Sequence, residues 1–256
     1  MTSYSREIKF DGIVNCRDLG GYKAGGCGTV ARRRLFRSGY IHPATFHDLN
    51  RLKKELKLTS VINLRRNKAG QQKEVSLLND AGIKYYNIPF FSYQQEELTY
   101  DFSNMGEAFL FRIRHKEYAK PIIDALEIIA DPKNLPLLFH CGAGKDRSGL
   151  VAVFILSVLG VADDDINADY ILSAPYMREL VASMMNDPRT PEEEKNLPAY
   201  TWEATAASMA LFLSGLKQEF GSARGYLEIN GADKSLFVRL EKALLVQEDS
   251  CEQTRR

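Results

Sequence analysis

The stretch LPLLFHCGAGKDRSGLVAVFILSVLG, residues 135–160, constrains the fold more than any other part of the chain. It begins with a short apolar run, passes through a loop with two glycines, and ends in a run that is apolar on every side of a helix. An apolar strand and an all-apolar helix both require burial, which a parallel sheet covered by helices provides. The stretch therefore predicts a strand, a tight loop and a buried helix in an α/β protein.

Strand and helix patterns alternate along the rest of the chain. The spacing of apolar residues predicts helices at 43–58, 73–80, 105–118, 121–130, 164–172, 176–185, 201–220 and 233–246. Aromatic and β-branched residues predict strands at 60–65 and 84–89. Pro121 is expected to separate two helices, and Thr45 with Asp48 to cap the first one. This order predicts an α/β fold with a mostly parallel central sheet flanked by helices, whose ligands bind at the carboxyl ends of the strands.

Composition argues against several classes of partner. The 34 basic and 33 acidic residues leave a net charge of +1, so the overall charge does not favour binding of nucleic acid. The four cysteines have the spacing of neither a zinc site nor a disulfide framework. The first residues lack the apolar core of a secretory signal, and no apolar run approaches the roughly 20 residues that cross a bilayer. We therefore expect a cytoplasmic protein without a transmembrane segment.

The loop after the strand has the spacing of an anion site with a nucleophile. It does not match the phosphate loop of nucleotide-binding enzymes, which needs glycine at Phe139 and Ser or Thr at Asp146. It does contain Cys141, five residues and then Arg147. The backbone N–H groups of such a loop can converge on one point at the start of a helix, where the helix dipole also favours an anion. A tetrahedral phosphate suits this arrangement.

The residue types in the loop fit phosphate chemistry. Arg147 offers two donors to phosphate oxygens, and the positive field lowers the pKa of the Cys141 thiol. A thiolate below a bound phosphate can form a phosphocysteine, with Ser148 donating to the departing sulfur and His140 ordering the cysteine from behind. No step requires a metal. The catalytic candidates are Cys141 and Arg147, and the candidate phosphate-binding residues are Gly142, Ala143, Gly144, Lys145 and Ser148.

The segment HCGAGKDRSG, residues 140–149, resembles the signature loop of the cysteine-dependent protein phosphatases, and its GKDR variant is most similar to the bacterial tyrosine/serine protein phosphatases. Three more segments resemble this family: NCRDLGGY at 15–22, LFRSG at 35–39 and DYILS at 169–173. The resemblance covers residues 10–180. It implies a protein-tyrosine-phosphatase-like fold, a phosphocysteine intermediate, no cofactor, and a phosphotyrosine substrate, with phosphoserine, phosphothreonine or phosphoinositides as further substrates. It also implies that Arg17 and Asp18 support the loop.

One position departs from the family pattern. Relatives commonly have V-I-D-L-R where this chain has V-I-N-L-R at 61–65, so Asn63 replaces a carboxylate that could act as general acid. Asp146, inside the loop, is the first candidate to donate a proton to the leaving group, and Asp101 is the second. The alternative role for Asp146 is to cap the helix that it begins.

We predict a single phosphatase domain at 1–256. Its catalytic core spans 10–174, a helical insertion at 175–222 forms a lid over the site, and a C-terminal helix and tail occupy 223–256. The polar connection at 186–200 would give such a lid room to move.

Other functions remain open from the sequence. Lys145 could bind the extra negative charge of an inositol phosphate, which favours a phosphoinositide phosphatase. A non-catalytic module that binds phosphorylated partners would need the loop but neither Cys141 nor Asp146. A sulfurtransferase or an arsenate reductase can hold a cysteine in a similar loop, although an arsenate reductase usually needs a second, resolving cysteine. Cys141 could also be an inert buried thiol.

Overall fold

A mostly parallel sheet forms the centre of the molecule, of which the computed structural model describes residues 5–66, 71–90 and 100–247. The strands are β1 (Arg17–Asp18), β2 (Gly28–Val30), β3 (Leu35–Ser38), β4 (Ser60–Asn63), β5 (Lys84–Asn87), β6 (Leu137–His140) and β7 (Leu245–Gln247). The main sheet has the order β1-β3-β6-β4-β5, and its neighbouring strands are parallel except for β1 with β3. Strands β2 and β7 form a small antiparallel ribbon. The predicted α/β fold with a mostly parallel sheet is confirmed.

Helices cover both faces of this sheet. They are α1 (Phe46–Asn50), α2 (Gln71–Asp80), α3 (Met105–Ile113), α4 (Lys116–Ala130), α5 (Asp146–Val158), α6 (Asp163–Ile171), α7 (Ala174–Asn186), α8 (Glu192–Lys195), α9 (Ala206–Phe220), α10 (Ala223–Ile229) and α11 (Lys234–Leu244). Successive residues of a strand face opposite sides of a sheet. Accordingly, Leu137 and Phe139 of β6 belong to the larger apolar core, and Leu138 belongs to the smaller one.

The helix that follows the candidate loop is buried on nearly all sides. Ten of the 13 residues of α5 are buried, because the helix packs against β3 and β6 and is covered by α4, α6 and α10. This environment explains the run of apolar residues that the sequence shows there. Each large apolar side chain buried in this way contributes roughly 1.5–3 kcal/mol to stability. No helix among the described residues is both long and apolar enough to span a membrane.

Two predicted helices differ from the structure in detail. Pro121 lies inside α4, so the prediction that it separates two helices is wrong; the break falls before His115, which has an extended backbone at φ −91° and ψ 124°. Pro121 is the sixth residue of α4, and the helix continues through it although the proline removes one backbone hydrogen bond. The helix predicted at 43–58 is α1 followed by a π-helical turn, Arg51–Glu55, and Thr45 and Asp48 form the expected capping box.

The segment predicted as a lid contains two different environments. Helix α9 packs against α3 and buries Met209, Phe212, Leu213 and Leu216, so it belongs to the core. Helix α7 has Met177 as its buried residue, and its other side chains are partly or fully exposed. The lid role stays a prediction.

Candidate active site

The candidate nucleophile lies at the centre of the sheet. Cys141 directly follows β6, which is the middle strand of five, and its side chain is buried with 2% of its surface exposed. The Cys141 loop is defined here as residues 141–147; it connects β6 to α5 and includes the first two residues of that helix. Its outer surface is partly exposed at Gly142, Ala143, Asp146 and Arg147. The loop is therefore open to a ligand and anchored at both ends by buried elements.

Donors outside the Cys141 loop hold four consecutive carbonyl groups of the loop. The bonds are Tyr40 N to Gly142 O at 2.9 Å, Asn15 Nδ2 to Ala143 O at 2.9 Å, and Arg37 Nη2 to Gly144 O at 2.9 Å and Lys145 O at 3.1 Å. In a planar trans peptide, the carbonyl of one residue and the N–H of the next point in opposite directions. The N–H groups of residues 143–146 are therefore directed away from these donors. Such amides can bind an anion together.

Gly144 is required by the way in which the loop packs on β3. Its φ is +72°, a left-handed conformation that side chains disfavour. A Cβ at this position would lie 2.6 Å from Gly39 N and 2.6 Å from Ser38 C. The absence of a side chain lets the loop approach the backbone that follows β3.

A buried ionic cluster supports the loop from the β3 side. This Asp169 cluster consists of Arg17, Arg37 and Asp169, which are each at most 2% exposed. Arg17 Nε donates to Asp169 Oδ1 at 2.9 Å, and Arg37 Nη1 donates to Asp169 Oδ2 at 2.6 Å. Burial alone would raise the pKa of Asp169, but the two guanidiniums outweigh it and hold this pKa below its usual value. The carboxylate thereby fixes Arg37, which holds the loop carbonyls.

Arg17 and Asp18, both predicted to support the loop, have different roles. Arg17 belongs to the Asp169 cluster and also donates to Asn15 Oδ1 at 2.6 Å, and Asn15 in turn holds the loop. Asp18 is the next residue on β1 and faces the opposite way. Its carboxylate accepts from Gly20 N at 2.8 Å and Arg33 N at 2.7 Å, so it orders the turn after β1.

The environment of Cys141 favours the thiolate. Burial would raise the pKa of the thiol, but the charge of Arg147 and the hydroxyl and N–H of Ser148 outweigh it and hold the pKa below that of an ordinary cysteine. Ser148 Oγ lies 3.5 Å from Cys141 Sγ. Cys16 is a useful contrast, because burial raises its pKa to about 12. Of these two buried cysteines, only Cys141 has surroundings that stabilise a sulfur anion.

Arg147 differs from the other two arginines near the loop. Arg17 and Arg37 are both paired with Asp169, whereas no carboxylate of the described residues lies within ion-pair distance of Arg147. Arg147 Nη2 lies 3.6 Å from the point that a Cβ on Gly142 would occupy. The guanidinium therefore folds back over the start of the loop. An unpaired cation in this position, beside outward-directed amides, can bind an anion.

The side chain of Lys145 is buried in the protein, and the partly exposed side chain of Asp146 contacts it. The Lys145 ammonium is buried and donates to Thr201 O at 2.6 Å and Glu203 O at 2.9 Å, and it lies 3.2 Å from Asp146 Oδ1. Burial lowers the pKa of Lys145. The side chain of Asp146 is 27% exposed, so one carboxylate oxygen faces Lys145 and the group still reaches the surface. The phosphate contact of Lys145 and the acid role of Asp146 stay predictions. Asp101 is exposed ahead of α3.

A second buried polar group lies behind Cys141 on the β4 side. This Glu74 cluster consists of Asn63, Glu74, Tyr85 and His140. His140 and Glu74 are both 0% exposed, and His140 Nε2 lies 2.7 Å from Glu74 Oε1. Asn63 Nδ2 contacts Glu74 Oε1 at 3.3 Å and Tyr85 Oη at 2.9 Å. Position 63, where the family resemblance predicts a carboxylate, is thus a buried position behind the loop.

Four of the residues that build the site received no role from sequence reasoning. Asn15, Arg37 and Asp169 lie within the three segments that resemble the phosphatase family, so the resemblance could have directed attention to them. Glu74 had no such signal. It is one acidic residue on a mostly polar helix, and only the packing of α2 against the sheet brings it to His140.

The fold and the site define a class of α/β proteins in which a cysteine-arginine loop at the end of a central strand is built to hold an anion. The match to known families is more specific. The model described as the tyrosine phosphatase family matches residues 8–246, and the chain therefore belongs to this family.

Relatives of known name agree with this assignment. The chain is 31% identical over 183 residues to a Cupriavidus necator protein named as a candidate tyrosine-protein phosphatase; the match covers 65% of this chain and 63% of that protein. It is 31% identical over 121 residues to the triple specificity protein phosphatase PtpB of Mycobacterium tuberculosis, covering 43% of this chain and 44% of PtpB. The chain thus spans less than two thirds of these relatives. Among solved structures, the catalytic core of Siw14 is similar at 18% identity and a TM-score of 0.44, covering 82% of this chain and 87% of that one.

Proposed function

We propose that the protein is a metal-independent phosphomonoesterase that hydrolyses phosphotyrosine through a phosphocysteine intermediate. The observation that carries this proposal is the combination at the loop: a thiol whose pKa is lowered, an unpaired Arg147, and four loop carbonyls held from behind so that the amides face outward. These groups match the charge that develops on a phosphoryl group during transfer.

The reaction has two steps. The Cys141 thiolate attacks phosphorus, the bond from phosphorus to the tyrosyl oxygen breaks, and Asp146 donates a proton to that oxygen. Water then attacks the phosphocysteine, Asp146 takes a proton from the water, and the phosphorus–sulfur bond breaks. Ser148 stabilises the departing thiolate, since its hydroxyl lies 3.5 Å from Cys141 Sγ. Arg147 and the loop amides hold the three non-bridging oxygens throughout.

The proposal is tested by hydrolysis of an aryl phosphate in the presence of EDTA. We expect the wild type to be active and Cys141→Ser to fall to the rate of the buffer. A mass increase of one phosphoryl group on Cys141 after rapid acid quenching would identify the intermediate. Equal activity of both proteins, or loss of wild-type activity in EDTA, would contradict the mechanism. Binding of phosphopeptides without turnover would support a non-catalytic module instead.

The role of Asp146 has its own test. A general acid accelerates expulsion of a poor leaving group by about 10²–10⁴-fold and that of a good one much less. We therefore expect Asp146→Asn to reduce hydrolysis of phosphoserine and other alkyl phosphates more than hydrolysis of an activated aryl phosphate. Asp101→Asn is measured in parallel, because a selective loss in that variant instead would assign the acid role to Asp101. Equal losses on both substrates would remove Asp146 from this role and leave it with its ion pair to Lys145 at the start of α5.

A second candidate function, phosphoinositide hydrolysis, is favoured by Arg65. Tyr40 follows β3 and Arg65 follows β4, on opposite sides of β6, yet the Arg65 guanidinium lies 5.3 Å from the centre of the Tyr40 ring. The two side chains therefore meet across the end of β6, next to the Cys141 loop. A cation at this rim suits a second phosphate group, and Lys145, the earlier candidate, has protein carbonyls as its partners.

Substrate comparison separates the two functions. We expect Arg65→Gln to lower kcat/KM for an inositol polyphosphate about tenfold and to leave kcat/KM for a simple aryl phosphate nearly unchanged. Equal effects on both substrates would remove this second candidate. PtpB is named a triple specificity protein phosphatase, which supports comparing several classes of substrate.

A further inference from the structure

The hydrogen bonds of His140 determine where its protons lie. His140 Nδ1 lies 3.3 Å from the carbonyl oxygen of Cys141, and a carbonyl only accepts hydrogen bonds, so Nδ1 carries a proton. His140 Nε2 lies 2.7 Å from Glu74 Oε1. This second contact is a hydrogen bond in two arrangements: a charged ring that donates to a carboxylate, or a neutral ring that accepts from a protonated Glu74.

Asn63 favours the charged arrangement. The Asn63 amide can be oriented, because its Oδ1 accepts from Arg65 N at 2.8 Å and its Nδ2 must then face the cluster. Nδ2 lies 3.3 Å from the same Glu74 oxygen that contacts His140. An oxygen that faces two donors is best satisfied as a carboxylate. The ring of His140 is then an imidazolium between Glu74 and the backbone of Cys141.

We propose that Glu74 is a positioning residue for the nucleophile: its buried carboxylate keeps His140 protonated on both nitrogens, and the charged ring stabilises the Cys141 thiolate from behind the loop. The proposal takes Cys141 as nucleophile from the proposed function, but its consequences concern the thiol itself and need no turnover. His140 contacts the backbone of Cys141, whereas Glu74 contacts the far nitrogen of the ring, so the positive end of this ion pair is the end nearer to Cys141.

Other charged groups also act on this thiol. They are Arg37 on β3, Lys145 in the loop, and Asp146 and Arg147 on α5. None of them is altered by a substitution at Glu74. A change in the titration of Cys141 on removing the Glu74 charge is therefore attributable to the Glu74–His140 pair.

The test compares Glu74→Gln with Tyr85→Phe, which removes a hydroxyl from the same cluster without changing its charge. The rate of alkylation of Cys141 by iodoacetamide is followed from about pH 5 to about pH 9.5 by peptide mass spectrometry. We expect Glu74→Gln to raise the pKa of Cys141 by about one unit, which is a tenfold loss of thiolate at any pH below both pKa values, and Tyr85→Phe to leave it unchanged. Cys16 is the internal control, because burial raises its pKa to about 12 and keeps it a thiol over this pH range, so it is labelled only if the protein unfolds.

A double variant tests whether Glu74 acts through His140. The variant His140→Asn keeps a donor for the Cys141 carbonyl and removes the ring charge. We expect it to raise the pKa of Cys141 as Glu74→Gln does, and adding Glu74→Gln to it to give no further rise. A full additional rise would mean that Glu74 acts independently of the ring, contrary to the proposal.

A measurement on the wild type tests the proposal even if the Glu74→Gln protein does not fold. The ¹⁵N shifts of the four histidines distinguish a doubly protonated ring from either neutral tautomer. We expect His140 to be doubly protonated at neutral pH. A neutral His140 ring, or a folded Glu74→Gln protein with an unchanged Cys141 titration, overturns the proposal. Either result leaves the phosphatase assignment intact, because that assignment is tested by turnover.

Discussion

Two buried charge clusters flank the Cys141 loop, and they differ in how completely their charges are paired. Both oxygens of Asp169 accept hydrogen bonds from guanidinium groups, and its own backbone carbonyl accepts another from Arg17. In the Glu74 cluster, Oε1 is shared between His140 and Asn63, whereas Oε2 has no donor among the described residues. The carboxylate of Asp169 is therefore paired at both oxygens, and that of Glu74 at one.

This difference indicates that the two clusters have different roles around the Cys141 loop. A fully paired carboxylate in the interior is costly to disturb and holds geometry, as Asp169 does for Arg37 and the loop carbonyls. The Glu74 carboxylate is only partly paired, and among the described residues its cluster alone touches the backbone of Cys141 through a histidine ring. We therefore assign the shape of the loop to the β3 side and, on the proposal above, the charge of the candidate nucleophile to the β4 side.

The largest expected effect comes from breaking the Asp169 cluster. Asp169→Asn leaves two buried guanidiniums without a counter-charge, and such a change typically costs about 3–5 kcal/mol. The free energy of unfolding in urea measures the loss. The matched control is Asp163→Asn, which breaks a half-exposed pair with Lys217 and should cost at most about 1 kcal/mol. Equal losses in both variants would show that the Asp169 cluster does not brace the loop.

Gly144→Ala is expected to have the next largest effect. The substitution places a side chain at φ +72° and forces it against Ser38 and Gly39, so we expect a loss of about 2–4 kcal/mol and of phosphate binding. Gly221→Ala is the control, because Gly221 has φ +73° and no atom within 4 Å of its Cβ position. Both variants carry the same backbone strain, so the difference between their free energies of unfolding measures the cost of the close packing at Gly144. Similar losses would mean that this packing is not tight.

Acid titration of the folded protein tests the charge of the Asp169 cluster. The pKa of Asp169 is lowered in the folded protein, because Arg17 and Arg37 outweigh the effect of burial. Its contribution to stability is therefore complete above the pKa of the unfolded chain, about 3.9, and is lost as the pH falls through the lower native value. The free energy of unfolding should decline less steeply with acid in Asp169→Asn than in the wild type. Parallel curves would assign the acid sensitivity to other carboxylates.

Much of this arrangement follows from local sequence, and the rest depends on contacts between distant segments. The strand, loop and helix around Cys141 could be predicted because apolar pattern and glycine content act over a few residues. The partners of Lys145 could not, because its ammonium binds Thr201 and Glu203, far along the chain. Asn15, Asp169 and Glu74 likewise reach the site through tertiary packing. Arg17 and Asp18 show why sequence alone is not sufficient: they are adjacent, but successive side chains of a strand face opposite sides and therefore contact different partners.

The smallest effect we predict concerns Asn63, where relatives commonly carry a carboxylate. Asn63→Asp removes the donor that lies 3.3 Å from Glu74 and adds a second negative charge beside it. Two carboxyl groups this close favour sharing a proton, so the variant should lose about 1 kcal/mol more stability at pH 8 than at pH 5. Tyr85→Phe, which alters the same amide contact without adding charge, should show no such pH dependence. A loss that is the same at both pH values would mean that Glu74 is already protonated in the wild type, and the charged state assigned to His140 would then be wrong as well.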